Sequence, residues 1–273
     1  MKSIAVLLTV HNRKDKTLAC LSALFKQQSI ENYKLDVFLV DDGCTDGTAI
    51  SVTTQFPSVI IIKGNGQLYW NRGMYLAWTT ARKHKDYDYY LWLNDDTLLN
   101  ELAIKTLLET VGVYDNKSII VGTTCATNSN QVTYGGRSIK GELIEPTNVP
   151  QVCNYFNGNI VLIPKAVYDK VGVNDPVFHH ALGDFDYGLR ANKLGFKSYV
   201  APKMLGTCDT HESLATWCNP RKKFKYRWKA FRSPLGNNPE EFFVYEWRHN
   251  GLIMALLHYF TNHLRVFSPS LWN

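Results

Sequence analysis

The side chains with most chemistry to offer in this 273-residue chain stand at the ends of apolar runs. Thr9, His11, Asn12 and Arg13 close or follow SIAVLLTV, Asp41 and Asp42 follow VFLV and lead into the turn GCTDGT, and Gly64, Asn65 and Gly66 follow VIIIK. Asn94, Asp95 and Asp96 follow YLWL. Carboxylates repel an anionic ligand unless a divalent cation sits between them, and Mg²⁺ and Mn²⁺ take oxygen ligands and keep substrate phosphates in their shell. Asp96, with Asn94 or Asp95, is thereby a candidate to hold a metal against a diphosphate. The same NDDT stretch could instead cap a helix beginning near Leu98. A dinucleotide fingerprint is missing: the loop after the first run reads TVHNRKD, GNGQLY at 64–69 lacks the third Gly, and no Walker loop occurs.

The elements that must carry these residues follow from periodicity. SIAVLLTV, KLDVFLV, SVIIIK and DYYLWLN have strand length and alternate with helical patterns such as TLACLSALFKQ, NRGMYLAWTTARKH and LAIKTLLETVGV. That rhythm predicts βαβ units in a doubly wound, mostly parallel α/β sheet, whose ligands bind beyond the carboxyl ends of the strands. From about 118 the strands shorten (SIIVGTT, QVTYGG, GNIVLIP), which predicts a small antiparallel part. A helix is expected from Leu182 to Leu194, closed by Gly195, and a last amphipathic helix from about 240 to 264. The acid-free segment 213–239 suggests a boundary, giving a main domain over 1–212, with a nucleotide half to about 115 and an acceptor half over 116–212, and a basic, amphipathic C-terminal extension over 213–273.

Composition narrows the classes. Thirty Lys and Arg against 24 Asp and Glu give +6 and a pI near 8.9, mildly basic rather than histone-like. Six cysteines without a CxxC pair suit reduced, buried thiols rather than a zinc ribbon or disulfide framework. The start of the chain reads as a buried strand rather than a signal peptide, and no apolar window approaches the roughly 20 residues of a membrane span. A cytoplasmic protein is expected, with peripheral contact at the inner face of the cell membrane open to it. RKKFKYRWKAFR at 221–232 interleaves seven cations with four aromatics, which points to an anionic membrane face through 221–264 rather than to nucleic acid, or to a solvated basic segment.

Taken in order, VLLTVHNR, FLVDDGCTDGT, GNGQLYWNRGMYLAW, LWLNDDTLL and GDFDYGLRANKLGFK resemble the family 2 glycosyltransferases over roughly residues 3–211. The NDDT variant and the QLYWNRG loop are most similar to a rhamnosyltransferase-like branch of bacterial polysaccharide assembly. The resemblance implies the GT-A fold, a nucleotide-diphosphate sugar donor (dTDP-rhamnose or a UDP-sugar), a glycan or lipid-linked acceptor and a divalent cation, Mn²⁺ or Mg²⁺. By the same resemblance, Thr9 and Arg13, with His11 and Asn12 between them, fall in the first nucleotide-contacting loop, and Asp41, beside Asp42, receives the base's imino hydrogen. Gly66, Asn71 and Arg72 fall in the loop closing on the nucleotide, with Trp70 either core or stacking residue. Asn94 and Asp96 occupy the outer positions of the metal motif, Asn94 and Asp95 facing the nucleotide sugar and Asp96 the metal, which His211 would help to hold.

Asp184 stands at the position of the general base, and Gly183 replaces the usual Glu. Asp186 and Arg190, four apart on a helix, are predicted to pair. Asp46 is read as a turn residue. Two other classes meet parts of the pattern: a non-catalytic nucleotide-sugar binding module, suggested by Asn94 and Gly183 where acids are usual, and a sugar-phosphate nucleotidyltransferase, disfavoured because TVHNRKD has no Gly.

Overall fold

A computed structural model describes residues 1–210 and 214–272. In chain order the strands are β1 Lys2–Val10, β2 Tyr33–Asp41, β3 Ile60–Lys63, β4 Tyr89–Leu93, β5 Leu98–Leu99, β6 Ile119–Cys125, β7 Val132–Tyr134, β8 Gly136–Arg137, β9 Gln151–Cys153, β10 Tyr155–Phe156, β11 Ile160–Pro164 and β12 Ser198–Thr207. The helices are α1 Lys14–Phe25, α2 Thr48–Gln55, α3 Tyr69–His84, α4 Ala103–Val113, α5 Lys165–Val171, α6 Gly183–Lys193, α7 Phe224–Phe231, α8 Pro239–Asn250 and α9 Leu252–Phe267.

The main sheet runs β3-β2-β1-β4-β11-β6-β12-β5. β3, β2, β1 and β4 are parallel, so the ends of all four open on one rim. β11 lies antiparallel between β4 and β6, β7 pairs antiparallel with β6 and β9 with β12, and β8 with β10 makes a separate two-stranded ribbon. This is the doubly wound, mostly parallel sheet with a small antiparallel part that the strand lengths predict.

Strand alternation builds two apolar layers. Ile4, Val6, Leu8 and Val10 of β1 pack with Cys20, Leu21 and Leu24 of α1 and with Ile104, Leu107 and Val111 of α4. Ala5 and Leu7 face the other way, into a layer with Met74, Ala77 and Trp78 of α3, Val167 of α5 and Tyr187 and Ala191 of α6. Both faces of β1 are thus closed, which is why its sequence reads as a continuous apolar run.

Three expected elements differ. Helix formation does not begin near Leu98; Leu98 and Leu99 pair with Thr207 and Gly206 of β12, and α4 starts at Ala103, so NDDT is a strand-end turn and not a helix cap. The basic segment contains a helix, α7. The single final helix is two, broken at Gly251, whose φ of 88° lies in the region open to glycine. α8 is clamped to the main body by buried Asp186 of α6, which accepts from Arg248 at 2.7 Å, from Arg190 at 2.8 Å and bonds His249 at 2.9 Å. Arg248 also reaches Asp175 at 2.8 Å.

Candidate active site

The rim begins at β1, where Asn12 turns at φ 51° and its Oδ1 accepts from the Thr45 N–H at 2.7 Å, tying the first loop to the turn after β2. His11 Nδ1 lies 2.6 Å from the Asp42 carbonyl. Asp41 accepts from the Cys44 N–H at 2.8 Å, and Asp46 bonds Lys14 and Thr48 backbone N–H groups, the turn role read for it in the sequence.

Asp42 is buried, and its two oxygens accept backbone N–H bonds from Gly66 at 2.7 Å, Leu68 at 2.9 Å and Tyr69 at 3.0 Å. Its work is to hold the loop leading into α3. Asn71 is wholly buried: its Nδ2 donates to the carbonyls of Asp175 and Phe178, and its Oδ1 accepts from Asn174 at 2.7 Å. Thr9 is also buried, so close to α3 that a Cβ on Gly73 would lie 2.2 Å from its hydroxyl. Thr9, Asp42 and Asn71, expected at the ligand from the sequence, lie buried at the base of the rim, where they frame it. Arg72 donates through Nε to the Pro176 carbonyl at 2.8 Å.

At the end of β4, Arg13 donates to Asp96 at 2.8 Å and lies 3.4 Å from Asp95. Burial, opposed by the Arg13 cation and reinforced by the Asp96 charge, pushes the Asp95 carboxyl up to about 7, and its Oδ2 is buried without a hydrogen-bond partner. Two adjacent carboxylates, one with an orphaned buried oxygen, fit a hard divalent cation in kind. No group of three or more His, Cys, Asp and Glu gathers for a metal among the described residues. His211, expected from the resemblance to help hold the metal, lies outside the described residues.

Asn94 has its Oδ1 taken by the Trp70 indole N–H at 2.7 Å. That bond takes one of the two lone pairs of the amide oxygen, and the Asn94 N–H₂ stands where an Asp would carry its second carboxylate oxygen. Trp70 is core and positioning residue at once: its ring meets Trp92 edge-on, and a Cβ on Gly158 would come within 2.4 Å of it.

Gly158 leads to Asp184. The Gly158 N–H donates to Asp184 Oδ2 at 3.0 Å, and Asp184 Oδ1 accepts from the Phe185 N–H at 2.9 Å in the first turn of α6. Burial pushes this carboxyl up to about 6, against the lowering effect of those two bonds and of the Arg137 charge. Gly183 is required here, because a Cβ would fall 2.0 Å from the Asn71 oxygen. The chain of contacts Asn94–Trp70–Gly158–Asp184 thus joins the acids after β4 to the acid at the start of α6.

Two groups at the site escaped the sequence reading. His180 faces the Tyr69 ring, with Nδ1 buried and unpartnered, and Cys208 donates its thiol to Asp96 at 3.6 Å. Neither belongs to a motif; each reaches the rim from a distant loop or strand end.

The family model described as glycosyl transferase family 2 matches residues 5–172. Among solved structures, S. aureus TarS superposes with a TM-score of 0.57 at 12% identity, covering 77% of this chain and 37% of TarS. GalNAc-T7, solved with UDP, GalNAc and Mn²⁺, gives 0.58 at 14% identity over 74% of this chain and 42% of its own. The mannosyltransferase PcManGT from Pyrobaculum calidifontis, solved with GDP-Man and Mn²⁺, gives 0.55 at 14% identity over 98% and 73%. This chain therefore spans well under half the length of TarS and GalNAc-T7. No curated protein matches it. At such identities the likeness is one of fold, the GT-A arrangement.

Proposed function

The chain belongs to glycosyl transferase family 2, and from that premise we propose that it moves a sugar from a nucleotide-diphosphate donor to a hydroxyl group by a single inverting displacement. The observation that carries the reading is Asp184: a carboxylate poised near pKa 6, joined through Gly158 and Trp70 to the paired acids after β4. A general base works best when its pKa lies near the working pH, so that it is ionised yet still basic. In this reading Asp184 takes the proton of the acceptor hydroxyl as that oxygen attacks the anomeric carbon, and the nucleoside diphosphate departs from the opposite face.

Asp41 receives the imino hydrogen of the base, while His11, Asn12, Gly66 and Arg72 line the nucleotide. Asn94 donates its amide N–H₂ toward the donor. A divalent cation, Mn²⁺ or Mg²⁺, would be held by Asp96 with Asp95 and His211, and when bound it neutralises charge on the diphosphate. Arg13, already seated on Asp95 and Asp96, is free to turn its guanidinium to the diphosphate once those carboxylates are otherwise engaged.

We favour a dTDP-rhamnose or UDP-sugar donor, hence hexosyl or deoxyhexosyl transfer, and a glycan or lipid-linked saccharide as acceptor in bacterial cell-envelope polysaccharide synthesis. A lipid-linked acceptor would be met at the inner face of the cell membrane. The NDDT and QLYWNRG stretches support the rhamnosyltransferase-like branch, and the nucleotides bound by GalNAc-T7 and PcManGT support the donor class. The test is incubation with Mn²⁺ and a panel of dTDP-, UDP- and GDP-sugars. Release of free nucleoside diphosphate from one of them, faster than in the buffer blank, is the expected result; binding without release from any would support a non-catalytic module.

A further inference from the structure

Helix α9 carries a row of large apolar side chains on its outer face. Ile253, Leu257, Phe260, Leu264 and Phe267 advance by alternate steps of four and three and so form one line, and their exposures run from 52% to 82%. The opposite side is the packed one: Ala255 and Val266 are buried, Tyr259 meets Phe243 of α8 edge-on, and His263 meets Phe231 of α7. Single exposed apolar residues are ordinary, but a continuous row along a helix marks a surface with a partner.

Charge identifies the partner. α7 lies beside the end of this row, with Phe224 stacked on Phe267 at 5.1 Å and Trp228 next to both. Arg221, Lys222, Lys223, Lys225 and Lys229 are exposed around it and have no ion pair among the described residues. From 214 to 272 the only acids are Glu240, Glu241 and Glu246, and these are engaged by Arg232, His179 and His258. A second copy of the chain therefore brings no free carboxylate from these helices to meet the cations, whereas an anionic lipid surface supplies both an apolar layer and negative charge.

We propose that the outer face of α9, with basic α7 beside it, docks on an anionic phospholipid bilayer, α9 lying in the plane of the headgroups. Sixteen residues of helix make about 24 Å, short of the roughly 30 Å of bilayer hydrocarbon. No described helix is long and apolar enough to cross a membrane. The orientation is useful: α8, against which α9 packs, is clamped by Arg248 and His249 to Asp186 on the helix that begins with Gly183 and Asp184. Docking would hold that end of the site close to the lipid surface. The surface is independent of the sugar-transfer reading, since lipid binding needs no donor.

The experiment is flotation of the full chain with phosphatidylcholine vesicles, with and without phosphatidylglycerol. Flotation with the anionic vesicles, weakened by salt, is expected. Leu257→Ser with Phe260→Ser should lower the partition at least about tenfold, and each of Lys222→Gln, Lys223→Gln and Lys225→Gln about fivefold. These positions are exposed, so the thermal midpoint should be unchanged, which separates lost docking from lost folding. Failure of the wild-type chain to float with anionic vesicles would overturn the proposal. So would flotation of the Leu257/Phe260 variant at the wild-type level, or light scattering showing a dimer that this variant dissociates without any lipid binding.

Discussion

Asp184 accepts two backbone N–H bonds and still has its carboxyl pushed up to about 6, because burial outweighs them. Activity should therefore fall as pH drops through about 6, where the base becomes protonated, a limb to be read in the pH profile of kcat/KM. The stability effect has the opposite sign from an ordinary ion-paired acid. With the folded value above the unfolded 3.8, the native chain holds the proton more tightly, so this group costs stability as pH rises from about 4 to about 6. Asp184→Asn removes that titration but also one of the two backbone bonds, since an amide has a single acceptor oxygen, so its stability should stay flat across that window where the wild type loses up to about 3 kcal/mol, measured by denaturant midpoints at several pH values. Trp70→Phe removes the indole N–H bonded to Asn94 together with the part of the ring that lies against Gly158, and should lower kcat/KM at least about tenfold by letting the amide turn. The Asp186–Arg190 pair was legible from four-residue spacing. The burial of Asn71 was not, because Asn174 and the carbonyls it bonds lie about a hundred positions further along.

At the scale of elements, close backbone approach fixes the site. The start of α6 meets the start of α3 with no room for a Cβ on Gly183, and the turn before β11 passes the Trp70 ring with none on Gly158. Gly183→Ala and Gly158→Ala should each destabilise the fold by about 1–3 kcal/mol, by the mechanism of overpacking, as read from urea unfolding. Gly183→Glu, restoring the acid usual in the family, should be worse rather than better, because its Cβ meets the same Asn71 oxygen. The parallel strands and the helices over them could be read from period and length, whereas β5 could not: two residues carry no pattern, and Leu98 and Leu99 are strand only because β12 lies alongside. The break between α8 and α9 was signalled by Gly251 alone, and in the sequence a lone glycine is also compatible with a continuous helix.

Across the whole molecule, two buried carboxylates join the C-terminal helices to the sheet domain: Glu241 of α8 accepts from the His179 N–H at 2.9 Å, and Asp186 of α6 takes Arg248 and His249 of α8. Burial would raise Asp186, but His249, Arg190 and Arg248 together hold it below the ordinary carboxylate range. Its contribution is therefore present above the unfolded value and is lost only as acid approaches the lowered folded one. Asp186→Asn leaves three cationic or hydrogen-bonding partners around a neutral amide and should cost about 3–5 kcal/mol, loosening α8 along with α6. Composition could announce a basic, acid-poor end of the chain; that this end is clamped beside Asp184 depends on contacts about sixty residues apart. The central claim is that the acids on this rim share one task, holding a nucleotide diphosphate while Asp184 activates the incoming hydroxyl. The most direct test compares wild type and Asp184→Asn for turnover of the active nucleotide sugar and, separately, for binding of its nucleoside diphosphate. Binding within about twofold of wild type with turnover down at least a thousandfold is predicted; turnover at the wild-type rate in Asp184→Asn would contradict it.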